Sequence, residues 1–303
     1  MHQSAPNGVI FPGMNETADM QKLPRSPLQF TKCHTDGNDF IIVESSSLNT
    51  FEILQPHVLA RKICDRRTGI GGDGLILVSL GDVAGNEVNL SLWNSDGSKA
   101  EISGNGTCCV AAFVVWRDLL IDNSRFIACT GAGRREVQFL KRIESEFHFV
   151  VNMGVPVVDG DCVEMRVRNS VGAVEATVLN VGNPQCALFH EGGLPQDWKM
   201  ISREIAADAR FPNGVNISFS RMLDRHTLAT AFFERGAGET FSSGTGSIGA
   251  AVSAIVRGFT ESPVTVQTAS GGLRVMWNGL GSSVELEGHA EVVGEGTFFG
   301  IAE

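Results

Sequence analysis

The chain has 303 residues, enough for one large domain or two ordinary ones, and its 43% hydrophobic and 19% charged residues suit a globular protein with a buried core. A formal net charge of −10 argues against nucleic acid or an anionic membrane surface as the main partner, because both would repel it. No run approaches the roughly eighteen consecutive apolar residues of a membrane-spanning helix.

Residues 1–27 carry Pro6, Pro12, Pro24 and Pro27 with neither a basic start nor an apolar core. They read as a loose extension, not a secretory signal, with Met14 and Met20 as alternative starts. Strand-like alternation follows in "LQFTKC" and "FIIVE", and apolar residues then recur at helical spacing over 51–65. "GIGGDG" (69–74) runs straight into the strand "LILV"; a dinucleotide fingerprint needs a helix there, so that reading is rejected. After the strand "VNLSLW" (88–93), the segment 108–121 is predicted as a largely apolar helix deep in a core. Further strands are predicted at "FHFVV", "VEMRV", "EATVLNV", "TLATAFFE", "LRVMW" and "SVELE". Between them lie an amphipathic helix over 197–210 and an apolar one over 248–258, with Gly258 suited to its C-terminal cap.

The seven cysteines are odd in number and show no disulfide spacing, which points to a reducing cytoplasm. Neither a CxxC pair nor an HExxH spacing is present, so no metal site is expected.

The elements repeat. "SGNGTCCVAAFVV" begins at Ser103 and "SGTGSIGAAVSAI" at Ser243, an offset of 140, and the pairs Gly37-Asn38 and Gly182-Asn183 are offset by 145. Two landmarks in the same order imply a duplicated half. In both copies a Ser-Gly-x-Gly turn leads into an apolar helix, whose exposed N–H groups and dipole make an anion site. No lysine follows the second glycine, so neither turn is a phosphate loop of the GxxxxGK[ST] kind. Inverting a carbon centre needs a base on one face and an acid on the other, and matching loops from two halves can supply them.

From Phe30 onward six motifs resemble the diaminopimelate epimerase family. "FTKCHTDGNDFIIVE" is similar to its "FxKMHGLGNDFxxxD", "RRTGIGGDGLILV" to "RxxGIGADGLILx", and "LWNSDGSKAEISGNGTCC" to "xxNADGSExxxCGNGxRC". "NVGNPQCALF" is similar to "xxGNPHxVxF", "FPNGVNISFS" to "FPxxxNVxFx", and "ERGAGETFSSGTGS" to "ERGxGETxACGTGA". The resemblance implies an α+β fold of two pseudo-symmetric halves, each a β-sheet or barrel wrapped around a central apolar helix, with the site between them. The expected division is 28–147 and 148–289, with 290–303 as a candidate strand completing the first half. It also implies a cytoplasmic isomerase without pyridoxal or metal, acting on LL- or meso-diaminopimelate in the lysine and peptidoglycan precursor pathway. A homodimer stays open as an assembly state.

Carried over position by position, Asn38, Asn94, Asn183 and Asn216 fall where the family places amides around its substrate. Glu234 and Arg235 match its Glu-Arg pair, and Gly104, Asn105, Gly244 and Thr245 match the donors that grip the reacting carboxylate. The catalytic positions depart from the pattern. Both family cysteines are serine, Ser103 and Ser243, and the assisting histidine is Gln185. A serine hydroxyl is a far weaker acid than a thiol and needs an adjacent base, which for Ser243 would be Glu234. Three activities fit these departures: an epimerase or racemase using Ser103, Ser243 and Glu234, a dehydratase or lyase needing one basic face, or a non-catalytic amino-acid-binding relative.

Overall fold

The computed structural model describes residues 27–48, 55–82, 86–120, 122–159, 163–167 and 172–299. The expected N-terminal extension, apart from Pro27, lies outside the described residues. The first half runs through β1 (Leu28–Thr35), β2 (Asn38–Glu44), α1 (Pro56–Ile63), β3 (Gly74–Leu80), β4 (Glu87–Asn94), β5 (Lys99–Ala100), α2 (Gly104–Trp116), β6 (Arg125–Thr130), β7 (Gly133–Ile143) and β8 (Glu146–Asn152). The second runs through β9 (Val157–Val158), β10 (Val163–Val167), β11 (Gly172–Asn180), β12 (Pro184–Phe189), α3 (Trp198–Ala206), β13 (Asn216–Asp224), β14 (Thr227–Glu234) and β15 (Gly238–Thr240). It continues with α4 (Gly244–Val256), β16 (Val264–Gln267), β17 (Gly272–Trp277) and β18 (Val284–Phe298).

Pairing follows one plan twice. Strands β1, β2, β3, β4, β6, β7 and β8 hydrogen-bond in that order, and β18 joins β8 to β1, closing a ring of eight. In the second half the order is β11, β12, β13, β14, β16, β17 and β18, which meets β8, and β9 pairs back onto β11. The β8–β18 seam is therefore common to both rings. The parallel steps β2–β3 and β12–β13 each need a crossover, supplied by α1 and α3 on the outside. These helices are amphipathic: Leu59, Ala60 and Ile63 of α1, and Trp198, Ile201 and Ile205 of α3, face the sheets.

Helices α2 and α4 fill the rings. Both are apolar on every face, and every residue from Gly104 to Val114 and from Gly244 to Ala254 is buried. Glycine costs about 1 kcal/mol per helical position, whereas each large apolar side chain buried here returns roughly 1.5–3 kcal/mol. Phe113, Val110 and Val114 against Phe126, Phe147 and Phe149 decide the balance in favour of α2.

On the outer face of the seam His289 lies opposite His148, with ring centroids 5.9 Å apart, and its Nε2 is 3.3 Å from Asp36 Oδ1. The Asp36 carboxylate raises the imidazole above its usual 6.5, with burial opposing and Glu146 and Glu291 reinforcing the shift. A raised histidine pKa contributes stability fully below the unfolded value of about 6.5 and loses it as pH rises through the folded value. His289→Gln should therefore lower Tm at pH 5–6 and converge on the native Tm above the folded pKa. Parallel Tm–pH curves for the two proteins would remove this pair from the stability balance.

Candidate active site

The two inner helices start at the same place in space. A Cβ on Gly104 would lie 2.9 Å from Gly244 Cα, and one on Gly244 would lie 2.8 Å from Gly104 Cα. Only glycine lets the two backbones come this close, so the positive ends of two helix dipoles face one spot. Each helix is capped by its serine: Ser103 Oγ accepts from Gly106 N at 3.0 Å, and Ser243 Oγ from Gly246 N at 3.1 Å. Both serines hold extended backbone angles, as an N-cap requires. Serine thus has a local structural use here that a thiol fills less well.

Around this junction lies a cavity of about 760 Å³. Every site residue expected from the sequence lines it: Asn38, Asn94, Ser103, Gly104, Asn105, Asn183, Asn216, Glu234, Arg235, Ser243, Gly244 and Thr245. The tight turn Asp36-Gly37, with both residues at positive φ (50° and 82°), places Asn38 on the wall. In the second half Gly182, at φ 102°, does the same for Asn183.

The two sides are not chemically equal. Asn94 and Glu234 are the last residues of the equivalent strands β4 and β14. Ser243 Oγ donates to Glu234 Oε1 at 2.6 Å, whereas Asn94 Nδ2 is turned to Ser98 Oγ at 2.9 Å. Desolvation in the cavity wall raises the Glu234 carboxyl above its usual value, the Ser243 hydrogen bond opposes this, and the negative Asp73 adds to the rise. A carboxyl raised in this way, bonded to a hydroxyl, is suited to moving a proton. Ser103 has no such partner among the described residues.

Arg235 sits between the halves. Its Nη2 bonds Glu101 Oε2 at 2.9 Å, its Nη1 bonds Asn213 O at 3.2 Å, and its backbone N donates to Asn216 Oδ1 at 2.9 Å. Glu101, Arg66 and Asp73 also line the cavity and were not singled out from the sequence. Asp73 stands inside "GIGGDG", where glycine dominates the pattern. Gln185 is buried and does not line the cavity; its Nε2 donates to Asn183 Oδ1 at 2.6 Å. None of the described cysteines is placed to replace the missing thiols. Burial pushes Cys33, Cys64, Cys108 and Cys186 up to about 12 and Cys109 well above its ordinary value, and Cys129 is raised as well.

The fold is that of the epimerase-like paired-barrel proteins. It is shared with a hydroxyproline epimerase from Agrobacterium vitis at TM-score 0.70 and 13% identity, over 91% of this chain and 93% of that one. It is also shared with a phenazine biosynthesis protein of the PhzF family from Bacillus anthracis at TM-score 0.62 and 14% identity, over 90% and 99%. Sequence narrows the class. The diaminopimelate epimerase family model matches residues 30–159 and 177–293. Diaminopimelate epimerases from Teredinibacter turnerae and Ectopseudomonas mendocina are 32% and 33% identical, each over 89% of this chain and 98% of the relative. The chain belongs to the diaminopimelate epimerase family.

Proposed function

We propose that this protein is a pyridoxal-independent amino-acid epimerase, with LL- and meso-diaminopimelate as its substrates, working in the cytoplasm. The observation that carries the proposal is the junction of two serine-capped helix N-termini inside the cavity of a chain of this family. The substrate carboxylate sits against both helix starts, where backbone N–H groups stabilise the charge that develops when the α-proton leaves. Ser243 takes the α-proton from one face while passing its own proton to Glu234. Ser103 delivers its hydroxyl proton to the other face as it takes one from water, and Glu234 then returns its proton to solvent. A second carboxylate of the substrate would exchange for Glu101 on Arg235, whose Nη2 bonds Glu101 Oε2, with a guanidinium able to hold it bidentately.

The base works only when ionised, so exchange should fall as pH drops through the Glu234 pKa, which lies above the ordinary carboxylate value. The test is α-deuterium wash-in from deuterated water across LL- and meso-diaminopimelate and the common amino acids. Incorporation with inversion supports the proposal, and tight binding without incorporation makes the protein an amino-acid receptor. The one-sided placement of Glu234 favours elimination as the second reading, and a keto or unsaturated product would establish it.

A further inference from the structure

Behind each helix start lies a row of hydrogen bonds. The rows start from different residues, Asp73 and Gln185, but end in pseudo-symmetric contacts, Asn38–Asn105 and Asn183–Thr245, of opposite sense. In the first half the carboxylate of Asp73 is held by Arg66 Nη2 at 2.9 Å and by the backbone N of Asp39 at 3.1 Å. A carboxylate paired with a guanidinium only accepts, so it dictates the direction of the next amide. Asn38 turns its Nδ2 to Asp73 at 2.8 Å and presents its carbonyl, which accepts from Asn105 Nδ2 at 3.2 Å. Asn105, 2% exposed, is left with Oδ1 buried and without a partner, in a residue of the cavity wall. A buried acceptor with no donor calls for one.

In the second half the row begins with a donor. Gln185 Nε2 bonds Asn183 Oδ1, so Asn183 turns its Nδ2 to Thr245 Oγ1 at 3.2 Å. Thr245 accepts that bond, and its own hydroxyl hydrogen finds no acceptor among the described residues. Thr245 is the counterpart of Asn105 under the 140-residue offset. Gly249 of α4 leaves room for the Gln185 stem, since a Cβ there would lie 3.1 Å from Gln185 Cβ and Cγ. The first row thus ends in an acceptor and the second in a donor.

We propose that Gln185 is a positioning residue that sets the donor sense of the second row, so that an amino acid binds in one orientation only. A carboxylate oxygen then takes the Thr245 hydroxyl, and an ammonium group takes Asn105 Oδ1. The inference rests on the amino-acid epimerase reading above. Gln185 touches no ligand; it acts through Asn183.

Gln185→Glu tests the sense directly, because it keeps the shape and removes the N–H donor. With the introduced carboxyl ionised, Asn183 must reverse, its carbonyl then draws the Thr245 hydroxyl, and the ligand loses a donor. Calorimetry with meso-diaminopimelate should show about tenfold weaker binding than native at pH 8, the scale of a lost hydrogen bond to a charged group. The variant-to-native ratio should return towards one at acidic pH, where the protonated carboxyl donates as the amide did. A ratio that stays the same at every pH overturns the assigned sense. Should that variant fail to fold by circular dichroism, Asn183→Asp reverses the same contact and is read the same way.

Asn105→Ala should weaken meso-diaminopimelate by about tenfold more than heptanedioate, the same diacid without ammonium groups. Equal weakening of both overturns the ammonium assignment. Native protein that binds diaminopimelate without α-proton exchange removes the epimerase reading while these ratios still decide the orientation. Native protein that neither binds nor exchanges any amino acid overturns both.

Discussion

Alanine at Gly104 or Gly244 is expected to abolish ligand binding while leaving a folded, destabilised protein. The added Cβ would sit 2.9 Å or 2.8 Å from the opposing glycine Cα, and real Cβ atoms do not approach backbone so closely. One helix start must therefore move. At Gly244 the Cβ also meets Asn105 N at 3.2 Å, so the displaced groups include a backbone N–H at the start of α2, one of those proposed above to hold the carboxylate. Overpacking of this kind costs roughly 1–3 kcal/mol, whereas alanine in place of glycine recovers up to about 1 kcal/mol of helix propensity. Net stability should fall modestly, and the loss of function should far exceed it. Gly258→Ala, beyond the end of α4 and with nothing within 4 Å of its Cβ site, is the control for a glycine at positive φ that is remote from the cleft. Chemical denaturation and calorimetry on all three variants separate the two effects. Retained amino-acid affinity in Gly104→Ala or Gly244→Ala would falsify the meeting of helix starts as the binding locus.

The cleft was legible in the sequence because its parts are local. Ser-Gly-x-Gly before an apolar run encodes cap, close approach and buried helix together, and doing so twice encodes the pseudo-symmetry. Helix boundaries were less legible. The apolar pattern suggested 108–121 and 248–258, yet α2 and α4 begin at Gly104 and Gly244. Gly104, Asn105 and Gly106 are poor helix formers, so periodicity alone misses the first turn, and the Ser103 cap decides it. At the other end Asp118 at φ 50° breaks the helix before Leu119 and Leu120 can extend it. Strand β7 leaves most of its side chains exposed and so carries little buried–exposed alternation to mark it. Ring closure was least visible of all, since β18 meets β1 across 268 residues at Gln29 and Thr297. The partners of Gln185 were equally hidden. A substitution of histidine by glutamine reads as loss of a base, and only the bond to Asn183 gives the new residue a use of its own.

The largest gain in rate is expected from restoring thiols at the two caps, as Ser103→Cys with Ser243→Cys. Each position already has what lowers a thiol pKa: a helix start whose N–H of Gly106 or Gly246 points at the side-chain atom. A free thiol of pKa about 8.5 lies only ~1.5 units from neutrality, near 2 kcal/mol, before any lowering, whereas a serine hydroxyl is far beyond reach of an amide or of water as base. Glycine at 106 and 246 leaves the larger sulfur room on that side, since a Cβ on Gly246 would lie 2.8 Å from Ser243 Oγ. The resident cysteines cannot compete for the role, being buried or raised in pKa. The double variant should therefore exchange the α-proton of its best ligand orders of magnitude faster than the native protein. Ser103→Ala with Ser243→Ala should remove whatever exchange the native protein has. Exchange that survives both alanines moves the base to Glu234 acting without Ser243, which is the requirement of elimination and not of inversion. A double-cysteine protein that binds diaminopimelate tightly and still exchanges nothing would show that the caps no longer face the α-carbon, and the serines would then be helix caps only.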